Sequence, residues 1–579
     1  MEGFTFMDDI RKGTLGSLLV FLRYLVRHNL SKLKLDCYAF LESIEGCFKE
    51  ANMASKVQFT PHPLVPKIFN EELKNLIFKA SKRFNRQRSK LLNDRQVLKA
   101  KRYIPQINPL SEAHITDWQV APIPEALKKR RVEITGPANN TKLVIQMLSA
   151  NESGDYPDTA MIDFEDSMKP SFDNVLTGYI NCMGAVKGDL SFFDKGKSYQ
   201  INSKQVYPMI RIRGLHLEES NILVDGEATS AGIVDLVVTA YSTLSYYQER
   251  GLNLKYYIPK CETSEEARFW DDVLVFLENE LKLNRGDIKV SLLIETYPAA
   301  CAIEEILYEV RDHAVALNVG RWDKIFSDIK VFAKSPDHIF RDRSLIGLNC
   351  PWMEAYAKRV IKICHRRGAL AIGGMAAFTP GKTEGMRYEQ NNKVLKDKTL
   401  EASWGHDGCW VSHPYFITSA LSAFPTSNQL EKTLDEFDEL ASIEPEGGGP
   451  YTFESLRQNI RVGIVYLYHW KKDIGCIALD NLMEDLATLE ISRAQVWQWR
   501  YHKVVLDNHK TVTTTYLREV FDEVEQELSL EINDGFGVKQ ATELCFEIFT
   551  EDKLRDFLVL ENDIYDQGDQ HDYELRSTL

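Results

Sequence analysis

The sequence predicts an α/β protein: a closed (β/α)8 TIM barrel flanked by an N-terminal helical region and a C-terminal helical domain. Three observations predict it. Eight short apolar runs recur between residues 131 and 415, helix-length segments separate them, and most runs carry a charged or polar residue at or beside their end. Strands alternating with helices are the pattern of a parallel sheet, and eight such units close into a barrel. In that architecture the C-terminal strand ends form the active face, so the closing residues are the candidates for chemistry.

In chain order the runs are RVEITGP (131–137), TAMIDFEDS (159–167), YPMIRIRG (207–214) and KYYIPKCE (255–262). KVSLLIET (289–296), HAVALNVGRWD (313–323), ALAIGGMAA (369–377) and GCWVSHP (408–414) complete the set. Residues 1–55 read as an N-terminal extension of helical character. Residues 56–130 read as a helical clasp, with periodic apolar positions in EELKNLIFKASKRFNRQRSKLL (71–92) and punctuation at Pro105, Pro109, Pro122 and Pro124. The barrel takes 131–418 and a C-terminal helical domain takes 419–560, broken by EPEGGGPY (444–451). An acidic tail, 561–579, has the composition of a mobile segment.

Composition limits the function classes. The 579 residues are 44% hydrophobic and 27% charged, ordinary for a soluble globular chain and too many for one barrel of about 250 residues. A net charge of −14 without a long basic face argues against nucleic acid as partner. Ten cysteines without a CxxC pair suggest reduced thiols and an intracellular compartment. LGSLLVFLRYLV (15–26) carries Arg23 and falls short of the roughly 20 apolar residues of a membrane span, so it reads as an amphipathic helix. Glu2, Asp8 and Asp9 count against a mitochondrial presequence.

Glu295 closes the fifth run and Asp323 follows the sixth, 28 positions later, about one βα unit. Either alone would be an ordinary rim carboxylate bonding a loop amide or an arginine. On adjacent strand ends the pair suits Mg²⁺, which keeps waters and accepts substrate oxygens. Arg211 ends the third run. It could form a structural salt bridge to Asp163, Glu165 or Asp166 of the neighbouring DFEDS, or serve as a fixed donor over a developing oxyanion. Arg213, two residues on, would face the same way along a strand, so spacing does not choose between the two arginines. Gly320, Arg321 and Trp322 form a turn whose amides could hold a small carboxylate. Asp485 and Glu484, at the start of a C-terminal helix, read from residue physics as a cap. His406, Cys409 and His413 have zinc-binding side chains but loose spacing and no fourth ligand, so packing at the rim of strand eight is preferred. The KKRR run (128–131) reads as a solvated face or a contact to a phosphate.

RRVEITGP, DFEDS, RIRGLHL, LIETYPA, GRWDKIFS, GGMAA, GHDGCWVSHP and MEDLATLEISRAQVWQW occur in the order and spacing of the A-type malate synthases. The sequence resembles that family over roughly residues 57–550. The resemblance implies an acyltransferase that condenses acetyl-CoA with glyoxylate and hydrolyses malyl-CoA to malate and CoA. It implies Mg²⁺ on Glu295 and Asp323, Arg211 as enolate stabiliser, and Asp485 as the base on the acetyl-CoA methyl group. By the same resemblance the amides of Gly320, Arg321 and Trp322 hold the glyoxylate carboxylate. Asp163, Glu165 and Asp166 then orient Arg211 and metal-bound water. Gly373, Gly374 and Met375 would allow close backbone approach at the acetyl-CoA pocket. The chain departs from the family pattern at Val319, Cys409, Leu486 and Leu489, which implies an altered pocket around intact catalytic positions. A malyl-CoA or citramalyl-CoA lyase of the same barrel class and a catalytically silent binding protein are the rival readings. The compartment reads as cytoplasmic or peroxisomal, Ser577-Thr578-Leu579 being at best a weak peroxisomal address. No membrane span or nucleic acid is expected, and a homo-oligomer stays open.

Overall fold

Eight parallel strands close a barrel in the order in which the chain makes them. Strands one to eight are Val132–Pro137, Thr159–Asp163, Tyr207–Arg211, Lys255–Ile258, Lys289–Ile294, Ala314–Val319, Leu370–Ala376 and Gly408–Val411 in this computed structural model. It describes residues 57–201 and 205–560. The readings made for 1–55, for the acidic tail and for the C-terminal tripeptide lie outside the described residues. Each strand lies within one of the eight apolar runs. Of all barrel-strand residues only Thr135 and Met375 escape full burial, as expected where helices cover one face and side chains fill the other.

Several runs read past the true strand ends, and the third matters for the site. Strand three stops at Arg211; Ile212 N still donates to Tyr257 O of strand four at 3.3 Å, and the chain leaves the sheet at 213–214. There Gly232 of the helix Ala231–Glu249 comes so close that a Cβ on it would sit 2.3 Å from the Arg213 carbonyl oxygen. Arg213 therefore does not share a face with Arg211. It pairs with Asp235 of that helix, Nε to Oδ2 at 2.9 Å and Nη2 to Oδ1 at 2.8 Å, and with Glu219 at 2.8 Å.

The barrel interior carries a polar layer that the KKRR reading did not anticipate. Arg130 is fully buried, not solvated. It donates to Glu133 at 2.5 Å, Ser291 at 3.1 Å and Tyr257 at 2.5 Å, while Trp410 donates to Glu133 at 2.9 Å. A buried guanidinium is tolerated because each of these partners replaces water. Arg131 and Lys129 both pair with Asp158, at 3.0 and 3.3 Å, and Lys128 pairs with Glu125 at 2.8 Å, so all four basic residues have acidic partners, the two lysines at the surface.

The helix Glu71–Ala100 begins at Asn70, whose side chain accepts from Leu73 N, and buries Leu73, Leu76, Ile77, Ala80 and Phe84, one helical stripe. It packs on Ala231–Glu249 and Ser264–Glu280. The short strand Val57–Phe59 pairs with Glu218–Val224 outside the barrel.

A second apolar core belongs to Phe453–Trp470, Leu486–Tyr501, Thr514–Ile532 and Gly535–Phe549. The barrel's own core continues through Phe424 and Ile443, so the two cores divide beyond Ile443 and not at residue 418. The segment between is bound to the barrel by Arg366–Glu439 at 2.7 Å and by Lys362 donating to the Phe437 carbonyl at 2.6 Å. Leu486–Tyr501 serves both cores. Ile491, Ala494 and Trp497 pack into the barrel's cluster, and Leu489, Val496 and Trp499 into the other. This helix lies against Arg321–Val331, the helix that follows strand six. Among the described residues no helix is long and apolar enough to cross a membrane.

Candidate active site

One cavity at the C-terminal mouth of the barrel is lined by Asp163, Asp166, Arg211, Glu295, Gly320, Arg321, Trp322, Asp323, Met375 and Asp485. Strand ends deliver most of them. Asp163 and Arg211 are paired residues on neighbouring strands. Asp163 takes Nε and Nη2 of Arg211 side-on, both at 2.6 Å, which leaves Nη1 at 3.3 Å from Glu165 and 3.4 Å from Asp166. The salt bridge and the donor role are thus compatible: two nitrogens anchor the guanidinium, and the third makes only these longer ion-pair contacts.

Asp163 is itself fixed by its own loop, accepting from the Glu165 and Ser167 amides. Glu165 lines a smaller neighbouring cavity rather than the main one, next to Lys260. Lys260 was not singled out from the sequence, although it lies within the fourth run, two residues past the end of strand four. Its ammonium lies 2.7 Å from Asp323, 2.9 Å from Asp166, 3.2 Å from Glu165 and 3.7 Å from Glu295. Its amide donates to Glu295 Oε1 at 2.7 Å, from a left-handed backbone at φ 53°. Burial works against this ammonium, but Asp166 and Asp323 outweigh it and hold its pKa well above the ordinary value.

Six carboxylates (Asp163, Glu165, Asp166, Glu295, Asp323, Asp485) face two cations, Arg211 and Lys260. The imbalance registers in the acids. Burial lifts Glu295 up to about 8, with Asp323 adding to the effect and Lys260 opposing it. Burial, then Asp166 and Asp323, push Asp485 up to about 8. Glu295 Oε2 is buried without a hydrogen-bond partner, and Asp323 Oδ1 touches Lys260 outside hydrogen-bond geometry. Buried carboxylate oxygens left in this state fit a divalent cation that takes its other ligands from water and substrate. Among the described residues no group of three or more His, Cys, Asp or Glu side chains converges as a complete metal shell.

Gly320 is the N-cap of Arg321–Val331, so the proposed nest is the first turn of a helix, where amides lack intrahelical partners. Gly320 must be glycine here: a Cβ would meet Glu295 Cβ at 2.6 Å. Its own amide donates to Tyr356 at 3.2 Å, which leaves Arg321 and Trp322 as the better donors to a ligand.

Asp485 comes from the other core. The hairpin Ile477–Leu479/Leu482–Glu484 rests on the end of strand seven, with Met483 N donating to Ala377 O at 2.7 Å. Leu486 N donates to Asp166 O at 3.2 Å, fixing the helix start to the DFEDS loop. Asp485 is an N-cap, in a reciprocal box with Thr488. It is also a wall of the cavity, so the cap reading was correct but incomplete. Glu484, its neighbour, is buried, and does not line the cavity.

The reading of the paired glycines is revised. A Cβ on Gly373 would strike the Glu401 carboxylate at 2.4 Å, and Gly374 N donates to the same group at 3.1 Å. These glycines admit a neighbouring helix, not a ligand, and only Met375 reaches the cavity. Of the departures from the family pattern, Val319 lines the cavity, Leu486 lines the smaller one, Leu489 sits in the C-terminal core and Cys409 is buried in strand eight. His406 lies buried beside the Ala371 carbonyl oxygen, its pKa lowered to about 3 by burial, and His413 caps a turn through Tyr415 N.

The sequence matches the family models "Malate synthase, TIM barrel domain" over residues 208–443 and "Malate synthase, C-terminal" over 451–567. It is 39% identical to malate synthase A of Escherichia coli over 77% of this chain and 84% of that protein. The chain belongs to the malate synthase family. Similarity to other malate synthases is of the same order: 37% for that of Myxococcus xanthus, across 87% of this chain and 95% of that one, and 35% for the glyoxysomal enzyme of Candida tropicalis, across 85% and 92%. The malate synthase barrel match begins at strand three, yet strands one and two, upstream of it, complete the closed sheet.

Proposed function

We propose that the protein condenses acetyl-CoA with glyoxylate and hydrolyses the resulting thioester to malate and CoA, as an acyltransferase of the glyoxylate cycle. One observation carries the assignment of roles: Asp485, from the second core, lines the same cavity as Arg211, Glu295 and Asp323. Glu295 and Asp323 would hold a magnesium ion, which when bound supplies Lewis-acid polarisation of the aldehyde. The first-turn amides of Arg321 and Trp322 bind the glyoxylate carboxylate at the positive end of their helix. Asp485, ionised, removes a methyl proton from acetyl-CoA. Nη1 of Arg211 donates to the enolate oxygen that develops, and Asp163 keeps that donor in place without rearrangement during the reaction. The enolate carbon attacks the aldehyde, and water then cleaves the thioester.

Acetyl-CoA is far longer than this cavity is wide. A larger surface groove of about 800 Å³ shares Gln146, His413 and Pro414 with the cavity and continues past Tyr199, Gly381 and Arg387. We assign the remainder of the CoA chain to that groove. Relatives with glyoxysomal names support a peroxisome-class compartment, with the cytoplasm as the alternative. Thiol release from acetyl-CoA, followed with and without glyoxylate and Mg²⁺, tests the function. Release only when both are present is expected. Release without glyoxylate would point to a simple thioesterase, and none under any condition to a silent protein.

A further inference from the structure

Residues 554–560 form almost no regular structure, yet they are anchored in both cores. Leu554 is buried in the barrel's cluster, and Leu558 and Leu560 in that of the C-terminal domain. Phe557 lies between them in the chain, packs against the barrel's cluster and shares a small cavity with Leu486 and Glu490 of the helix above. Its ring stacks on His216 at 4.4 Å, meets Phe326 edge-on at 5.9 Å and sits beneath the Lys330 ammonium at 3.8 Å.

Hydrogen bonds tie this short segment to three elements at once. Lys99, on the N-terminal helix, donates to Leu554 O at 3.1 Å and to the Asp556 carboxylate at 2.7 Å. Lys330, on the helix that carries Asp323, donates to Asp556 O at 3.0 Å. Arg493, on the helix capped by Asp485, donates to Arg555 O at 3.1 Å, and Glu490 on the same helix accepts from Leu558 N at 2.6 Å. A small cavity behind the segment is shared by Phe557, Leu558, Asp166, Lys260 and Leu486, the residue next to Asp485.

We infer that residues 554–560 are a latch that sets the height of Asp485 above the barrel, with Phe557 as its positioning residue. The inference rests on the reading of Asp485 as the base. Phe557 holds the segment to the barrel while Leu558 and Leu560 hold it to the other core, so removing the ring leaves a void on the barrel side and loosens the tie between the two. Leu486–Tyr501 keeps its own contacts in both cores, so the shift is a displacement and not an unfolding. A misplacement of about 1 Å caused by a remote change can cost about a hundredfold in rate.

The test compares Phe557→Ala, Phe557→Leu and Asp485→Asn in the full chain, each with Mg²⁺. Three readouts are taken: kcat, the KM for glyoxylate, and deuterium uptake by the acetyl-CoA methyl group with pyruvate in place of glyoxylate. The latch predicts that Phe557→Ala loses kcat and methyl exchange together, by about ten- to a hundredfold, with the glyoxylate KM nearly unchanged. Phe557→Leu should recover most of both, and Asp485→Asn should be silent. Exchange at the parental rate in Phe557→Ala, with Asp485→Asn silent, overturns the latch and leaves the base intact. Exchange at the parental rate in Asp485→Asn overturns the base assignment and the latch with it. Should Phe557→Ala lose its near-ultraviolet circular dichroism, Asp556→Ala replaces it, severing the ties to Gln96 and Lys99 at the surface. It should then lower exchange at unchanged glyoxylate KM, and parental exchange there overturns the latch.

Discussion

The barrel rim and the C-terminal hairpin supply the same cavity under different constraints. The rim groups stand on strand ends or the first turn of a helix within one core, and each is held by a neighbour from that same core: Arg211 by Asp163, Glu295 by the Lys260 amide, Asp323 by the Lys260 ammonium. Asp485 is held by a capping box and by contacts that cross between two cores. Groups that must hold an ion and a small acid are best prearranged. A base that must meet a long co-substrate can be brought by a second domain that excludes water as it closes. The difference separates holding and polarising, on the barrel, from proton removal, on the domain above it.

The largest expected effect breaks the rim side of this division. Asp323→Asn removes one of two protein charges from the proposed magnesium site and should cost several kcal/mol, on the order of a thousandfold in turnover. The rise in thermal midpoint that Mg²⁺ produces in the parent should be strongly reduced in the variant. Parental turnover at ordinary magnesium concentration would remove the metal assignment.

Arg211→Lys should lower kcat about a hundred- to a thousandfold, because a lysine cannot both grip Asp163 side-on and present a planar donor. Arg213→Lys is the contrast. Its fork serves Asp235 and Glu219, so it should cost about 1–3 kcal/mol of stability by denaturant titration while turnover stays near parental. A reversal of the two outcomes would mean that the wrong arginine faces the substrate.

The smallest effect sharpens the rim geometry. Gly320→Ala places a methyl group against Glu295 Cβ and should cost about 1–3 kcal/mol of stability, with weaker magnesium binding in isothermal titration. Unchanged magnesium affinity would show that Glu295 can move without consequence.

Much of the barrel side was legible in the sequence, because its signals are local. Apolar runs at βα spacing give the sheet, and the 28-residue interval between Glu295 and Asp323 places both on one rim. What failed also failed locally. Periodicity does not reveal that strand three stops at Arg211, so Arg211 and Arg213 looked equivalent until the helix holding Asp235 was in place. Gly373 and Gly374 indicated a close approach correctly, but not that Glu401 makes it. Lys260 was visible inside its run, and only the convergence of Asp166, Glu165, Glu295 and Asp323 shows why a cation is there. Asp485 lay furthest from sequence logic. Its cap chemistry is local, whereas its place in the cavity depends on packing between two cores.

The central claim is that the proton leaves acetyl-CoA to a group on the C-terminal domain while the barrel holds the other substrate. It is tested most directly by deuterium uptake into the acetyl-CoA methyl group in Asp485→Asn, with Mg²⁺ and pyruvate present and glyoxylate binding measured alongside. An amide cannot act as the base, so the account predicts that exchange disappears while glyoxylate still binds. Exchange at the parental rate would contradict it, and would move the search for the base to the acids of the barrel rim that line the cavity, Asp166 first.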